Sequence, residues 1–227
     1  IHSLVSPGDP VVISGYEHNS VTRPLYALGA QVRVAASPLF NPAAAVDAFR
    51  RALPGARAAV CTMVSNVFGY LLPVQEIAEL CAAARVPLIV DASQAAGCVA
   101  LDASALGAAF VAMPGHKGLL GPSGIGGFVM NEEMNKALTP LIAGGTGSMS
   151  ASLEMPPTLP DRYEAGTPNL PGIMGLGVAL RYLQEVGLDA LHRREMALTE
   201  RFLSGLRGNE HIRIPGPADA KGRVGVI

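Results

Sequence analysis

Charge is scarce in this 227-residue sequence: Asp, Glu, Lys and Arg make up 15% of it, against ~25% in an average soluble chain. With 49% hydrophobic residues beside it, that shortage excludes a disordered, polyampholytic or acid-tailed protein and predicts a chain that buries much of itself. Long Lys/Arg clusters are missing, and the net charge is −1 with a pI near 6.6. The electrostatic footprint of a nucleic-acid binder is therefore absent. No run reaches the ~18 apolar residues of a membrane span, and no charged start leads into an apolar segment of the secretory kind. The expectations are no nucleic-acid partner, no membrane and a cytoplasmic location. Cys61, Cys81 and Cys98 are odd in number and lack CxxC spacing, which supports neither a disulfide framework nor a zinc knuckle. Reduced, mostly buried thiols and no metal are expected. No repeat of fixed period is present.

What the sequence has is punctuation and alternation. Its 26 glycines and 18 prolines stay below the ~25–30% that marks low complexity, so they read as turns and close backbone approaches. At ~150 residues per domain, the length predicts one large domain, alone or with a piece of another. Short β-branched runs alternate with Ala-rich stretches, the pattern of helices laid against a mainly parallel sheet. Strands are expected at Val11–Ile13, Gln31–Ala35, Ala58–Met63, Pro87–Val90, Ala108–Met113 and Ile125–Met130. Helices are expected over Asn19–Leu28, from the Asn41-Pro42 start to about Leu53, and over Val74–Ala84. Leu141 to Pro171 holds too many Gly, Pro and Ser residues for regular structure, and so long a loop in a compact domain is usually functional. Gly172–Glu185 and Leu188–Leu206 read as two helices broken at Gly187, and the stretches near Ile212 and Val224 as strands opening a second, smaller unit. The sequence starts at Ile1 rather than Met and stops inside an apolar run, so it is expected to be a piece of a longer chain.

In an open parallel sheet, ligands sit beyond the carboxyl ends of the strands. There this sequence puts His18, Ser65-Asn66, Asp91-Ala92-Ser93-Gln94 and His116-Lys117. Each alone has an ordinary explanation: a loop histidine, a capping aspartate, a solvated lysine. Together they say more. The run Gly115-His116-Lys117-Gly118-Leu119-Leu120-Gly121-Pro122 carries a lysine on a loop whose glycines admit a ligand, and a lysine amine forms a Schiff base with an aldehyde cofactor. A carboxylate held at a strand end is what pyridoxal phosphate requires, since it keeps the ring nitrogen protonated and makes the ring an electron sink. Asp91 can supply it. A nucleotide site on Gly121–Gly127 fails on context, because Phe128-Val129-Met130 continues as a strand instead of opening a helix, and no GxxxxGK[ST] is present.

The runs Glu17-His18-Asn19-Ser20, Val64-Ser65-Asn66-Val67-Phe68-Gly69, Val90-Asp91-Ala92-Ser93-Gln94, Gly115-His116-Lys117 and Arg162-Tyr163-Glu164-Ala165-Gly166-Thr167-Pro168-Asn169 occur in this order. Together they resemble the class V aminotransferase family of pyridoxal phosphate enzymes, and within it the cysteine desulfurases. The resemblance implies an α/β fold of fold-type I: a large cofactor-binding domain over residues 1–187, lacking its N-terminal part, and the beginning of a small C-terminal α/β domain over 188–227. It implies that Lys117 carries the cofactor and shuttles protons, that Asp91 partners the pyridinium nitrogen, and that His18 stacks on the ring and helps proton transfer. Asn66 and Gln94 would reach the ring hydroxyl or the substrate, and His116 the phosphate. Thr146, in Gly144-Gly145-Thr146-Gly147-Ser148, would donate to the phosphate held by the other subunit, which implies a homodimer with shared sites. Arg162 would orient loop and substrate. The implied reaction takes L-cysteine to L-alanine and passes sulfur to an enzyme cysteine outside this chain, with a sulfur-acceptor protein as a further partner. Selenocysteine lyase, a true aminotransferase and a non-catalytic scaffold keeping the α/β core stay open. Two departures stand out: Pro114 takes the place of a hydroxyl residue of the family, and none of the three cysteines falls at the sulfur-acceptor position.

Overall fold

The computed structural model describes residues 1–227, the whole of the sequence. Its centre is one six-stranded sheet in the order β2-β1-β3-β4-β5-β6. Strands β1 (Pro10–Ser14), β2 (Gln31–Ala35), β3 (Ala58–Thr62), β4 (Leu88–Asp91) and β5 (Phe110–Pro114) are parallel, and β6 (Gly126–Met130) runs antiparallel on the edge. The helices are α1 (Asn19–Ala27), α2 (Pro42–Ala52), α3 (Val74–Ala84), α4 (Ala103–Leu106), α5 (Glu132–Ala137), α6 (Leu170–Val186) and α7 (Leu188–Leu206).

The central strands are buried on both faces, as parallel strands flanked by helices must be; every residue of β3 is buried. Period-two alternation sorts their side chains into two cores. Val12, Ala59 and Cys61 join Phe49 of α2 and Ile77, Ala78 and Cys81 of α3 on one face, while Val11, Ile13, Ala58 and Val60 join Val21 and Leu25 of α1 on the other. Local signals start and stop the helices. Asn41 Oδ1 accepts the Ala44 N–H at 3.0 Å ahead of Pro42, and the Asn169 side chain accepts the Gly172 N–H at 3.1 Å, so α6 begins two residues earlier than its expected start. The short helices α4 and α5 have no counterpart in the sequence reading; Asp102 and Asn131 cap them.

The strands expected near Ile212 and Val224 do not form. After α7 the chain runs in turns, with a single isolated bridge between Tyr70 and Arg223. The cause is local: Gly216 takes a positive φ between Pro215 and Pro217, and Arg223 Nη2 donates to the carbonyls of both prolines at 3.2 and 3.1 Å, folding the segment onto itself. Val224 is buried because it packs on the first core, its N–H donating to Gly69 O at 3.0 Å. No helix is long and apolar enough to cross a membrane.

Phe49 is fully buried under the sheet. Its replacement by Ala is expected to cost about 3–5 kcal/mol in urea unfolding, whereas Phe202→Ala, at a half-exposed position on α7, should stay within about 0.5 kcal/mol.

Candidate active site

The order of the sheet places the site. The connection leaving β1 goes outward to β2, and the one leaving β3 goes the other way to β4, so the chain reverses direction at the β1/β3 boundary. A crevice opens beyond the carboxyl ends of the strands at such a reversal. Four loops rise there or beside it, following β1, β3, β4 and β5, and they carry His18, Asn66, Asp91 with Gln94, and His116 with Lys117.

His18 is exposed and stands as the N-cap of α1: its Nδ1 accepts the Ser20 N–H at 3.1 Å. In the neutral ring this puts the proton on Nε2, the nitrogen left free. Past β3, Ser65 accepts the N–H groups of Val67 and Phe68 at 3.3 Å through Oγ, turning the chain so that Asn66 is exposed. Asp91 is the last residue of β4, in register with Thr62 of β3 and Ala112 of β5. Its Oδ1 accepts the Ser93 N–H at 2.9 Å, opening the turn that carries Gln94, and Oδ2 has no partner in the chain.

The lysine loop follows β5. Gly121 N–H donates to Gly115 O at 2.7 Å and closes the loop around His116 and Lys117, with Leu120 held at φ +58°. Lys117 is half-buried; its carbonyl accepts the Leu120 N–H at 2.9 Å, and its amine has neither an ion pair nor a hydrogen bond. Two glycines bring this loop against the Asp91 turn. A Cβ on Gly97 would stand 2.1 Å from Gly118 O, and one on Gly118 would stand 2.4 Å from Ala96 O; both are closer than atoms can approach. Asp91 and Lys117 thus lie on neighbouring loops in backbone contact, with Asp91 Oδ2 and the Lys117 amine not used to hold the fold.

One residue beside the site received no role in the sequence reading. Glu17, just before His18, turns its carboxyl inward between the ends of β1 and β3. Its Oε1 accepts from Ser14 Oγ at 2.5 Å and from the Thr62 N–H at 2.6 Å, and Oε2 is sealed from solvent with no partner. Burial, with the charge of Asp91 adding, pushes Glu17 up to about 7 against these two hydrogen bonds, which pull the other way. Glu17 opens the run Glu17-His18-Asn19-Ser20, but nothing in that run marks it as buried or bonded to Thr62.

Two expected residues lie apart from this group within the chain. Thr146 Oγ1 is occupied in its own turn, donating to Ser148 O at 3.2 Å, and Ser148 Oγ in turn donates to Asp161. Arg162 donates to Leu138 O at 2.9 Å and to the Tyr163 hydroxyl at 3.1 Å, and no ion pair with Glu164 forms. Those contacts anchor it to the segment after α5, beside the edge strand, rather than to Asp91 or Lys117. The thiols are poor nucleophiles: burial pushes Cys61, Cys81 and Cys98 upward, Cys81 to about 12.

The whole chain, residues 1–227, matches the class-V aminotransferase family, and it belongs to that family. It is 36% identical to a cysteine desulfurase of Serratia proteamaculans over 99% of its length, and 31% identical to a probable cysteine desulfurase of Pyrococcus abyssi over 100%. It covers 56% and 58% of those two proteins, so the chain spans about half the length of the curated relatives it matches. Its fold is similar to the apo structure of the cysteine desulfurase from Thermococcus onnurineus, with a TM-score of 0.85 at 29% identity over 98% of this chain and 57% of that one. It also resembles a cysteine desulfurase structure from Escherichia coli, with a TM-score of 0.79 at 26% identity over 91% of this chain and 53% of the other. The expected mainly parallel α/β architecture of fold-type I therefore stands.

Two outcomes follow from this geometry. Gly97→Ala is expected to destabilise the protein by about 3 kcal/mol in urea unfolding, combining a left-handed residue with a backbone overlap; Gly29→Ala, also at positive φ but with nothing within 4 Å, should lose only about 1 kcal/mol. In thiol titration of the native protein, Cys61 and Cys81 are expected to react only after denaturant is added, and Cys98 slowly.

Proposed function

We propose that this chain is the cofactor-binding part of a pyridoxal phosphate-dependent cysteine desulfurase, acting on L-cysteine, releasing L-alanine and passing sulfur to an enzyme cysteine other than Cys61, Cys81 and Cys98. The observation that carries the reading is the pairing of Lys117 and Asp91 on loops in backbone contact at Gly97 and Gly118, with the Lys117 amine and Asp91 Oδ2 both unused by the fold. The residues present fit the group. Asp91 Oδ2 and the Lys117 amine are joined by the side chains of Asn66, Gln94 and His116, none of which makes a hydrogen bond in the chain.

When bound, the cofactor supplies a conjugated ring that draws electrons from the substrate Cα. The chain's residues do the rest. Lys117 would hold the cofactor through its amine and would serve as the base for the substrate α-proton. Asp91 would keep the ring nitrogen protonated, with Oδ1 pinned by the Ser93 N–H and Oδ2 left free for that purpose. His18 would stack on the ring, and its Nε2, free because Nδ1 is tied to the helix start, would help proton transfer. Asn66 and Gln94 are assigned to the ring hydroxyl and the substrate, and His116 to the phosphate. Thr146 is assigned to the phosphate of a second subunit in a homodimer, and Arg162 to the orientation of loop and substrate. Residues 1–187 form the large domain of this reading and 188–227 the start of the small one, with a sulfur-acceptor protein as partner and a cytoplasmic setting. Support for the substrate comes from the cysteine desulfurases matched above.

Addition of pyridoxal phosphate to the purified protein is expected to give the visible absorbance of a lysine-bound cofactor. Borohydride reduction should then fix the adduct on the peptide containing Lys117, and Lys117→Ala should abolish both signals. A protein that takes up no cofactor would be a scaffold that merely kept the fold. In the complete enzyme, Asp91→Ala is expected to retain cofactor while turnover drops by at least ~10²-fold; near-normal alanine production would contradict the electron-sink role.

A further inference from the structure

We propose that Glu17 is a positioning residue for this site: its carboxyl stands in for a missing strand at the β1/β3 reversal and sets the backbone from which Asp91 acts. The inference rests on the functional reading above only in its last step.

Pairing of β1 with β3 ends at Ile13–Val60, and β1 itself ends at Ser14. Beyond that point the Thr62 N–H faces a strand that has turned away. A buried N–H without a partner is costly. Glu17 Oε1 takes it at 2.6 Å, and the same oxygen takes Ser14 Oγ at 2.5 Å, so one carboxyl oxygen joins the last residue of β1 to the last residue of β3. Thr62 in turn is the register partner of Asp91, and the next residue, Met63, donates its N–H to Asp91 O at 2.9 Å. A continuous path therefore runs from Glu17 through Thr62 and Met63 to the backbone of Asp91.

The other oxygen decides the form in which Glu17 does this. Oε2 is sealed from solvent and unpartnered. The titratable groups facing the carboxyl are Asp91 from β4 and Cys61 from β3, with no Lys or Arg paired to it. An anion there would be buried, half-satisfied and beside a like charge, whereas the neutral acid keeps Oε1 as a double acceptor and places a proton on Oε2. The carboxyls of Glu17, beyond β1, and Asp91, at the end of β4, thus flank the end of β3 and divide the work: Glu17 holds the architecture, and Asp91 leaves Oδ2 for a ligand.

The test uses Glu17→Gln and Glu17→Ala. Gln keeps the acceptor and adds a donor where the acid carries its proton; Ala removes both. In the cofactor-free protein, amide exchange at Thr62 is expected to quicken about tenfold in Glu17→Ala and to stay near wild type in Glu17→Gln. Because Glu17 is raised from 4.5 to about 7 on folding, its stabilising share is full below about 4.5 and is lost as pH rises through about 7. Urea midpoints of wild type should therefore fall relative to Glu17→Gln across that window. Parallel curves, or wild-type exchange at Thr62 in Glu17→Ala, overturn the proposal. With pyridoxal phosphate added, Glu17→Ala should shift the pH midpoint of the cofactor absorbance while Glu17→Gln tracks wild type; an unmoved midpoint in Glu17→Ala overturns the link to Asp91. Should wild type itself develop no absorbance, the functional reading falls, and the exchange and urea series still decide whether Glu17 bridges the two strands as a neutral acid.

Discussion

Two backbones touch at Gly97 and Gly118, and the site depends on that contact. Parallel neighbouring strands deliver their carboxyl ends to one rim, but the loops that follow can splay. Here the turn after Asp91 and the loop of Lys117 approach so closely that neither glycine could carry a methyl group. Contact through main chain leaves the side chains free. Asp91 and Lys117 lie on these two touching loops with no ion pair between them, so Asp91 Oδ2 and the Lys117 amine both stay unspent.

The reversal of the sheet supplies the second constraint. Wherever connections diverge, the first strand to leave the sheet deprives its neighbour of hydrogen-bond partners on that side. In this fold the neighbour is β3, the most buried strand, and its terminal residue is in register with the residue proposed to hold the ring nitrogen. The crevice that admits a ligand therefore also creates an unmet donor beside it. Glu17 resolves that conflict from within the loop that follows β1, and it does so one residue ahead of His18, whose ring caps α1. A single short loop thereby closes the gap in the sheet, starts a helix and aims an imidazole nitrogen outward.

Much of this was legible in the sequence, for identifiable reasons. Strands of a parallel sheet are short, β-branched and buried on both faces, so Val11–Ile13 and Ala58–Met63 stand out from the polar turns around them. Asn41-Pro42 announces α2 because capping is a local interaction between neighbours in the chain. The apolar residues near Val224 misled because hydrophobicity reports burial and not pairing. Val224 is buried, but against the turn at Gly69 and the first core, while Arg223 spends its donors on proline carbonyls that break any extended run. Glu17 was illegible for the opposite reason. One of its two hydrogen-bond partners, Thr62, is far away in sequence, as is the charge of Asp91 that acts on it, and a lone glutamate in a loop ordinarily reads as solvated. Arg162 and Thr146 were placed by resemblance, and the chain by itself shows them occupied with Leu138, Tyr163 and Ser148.

Satisfaction of polar groups is what separates the two sets of residues. Folded chains pair nearly all their buried donors and acceptors, so groups left unpaired at one rim of a well-paired sheet are informative. Ser14, Thr62, Ser65 and the N-cap side chains are all spent on structure. The Lys117 amine, Asp91 Oδ2, Glu17 Oε2 and the side chains of Asn66, Gln94 and His116 are not, and all of them lie past the carboxyl ends of β1, β3, β4 and β5. The Lys117 amine, Asp91 Oδ2 and the side chains of Asn66, Gln94 and His116 are left unspent by the chain, and they are the groups that the proposed reading assigns to the cofactor and the substrate.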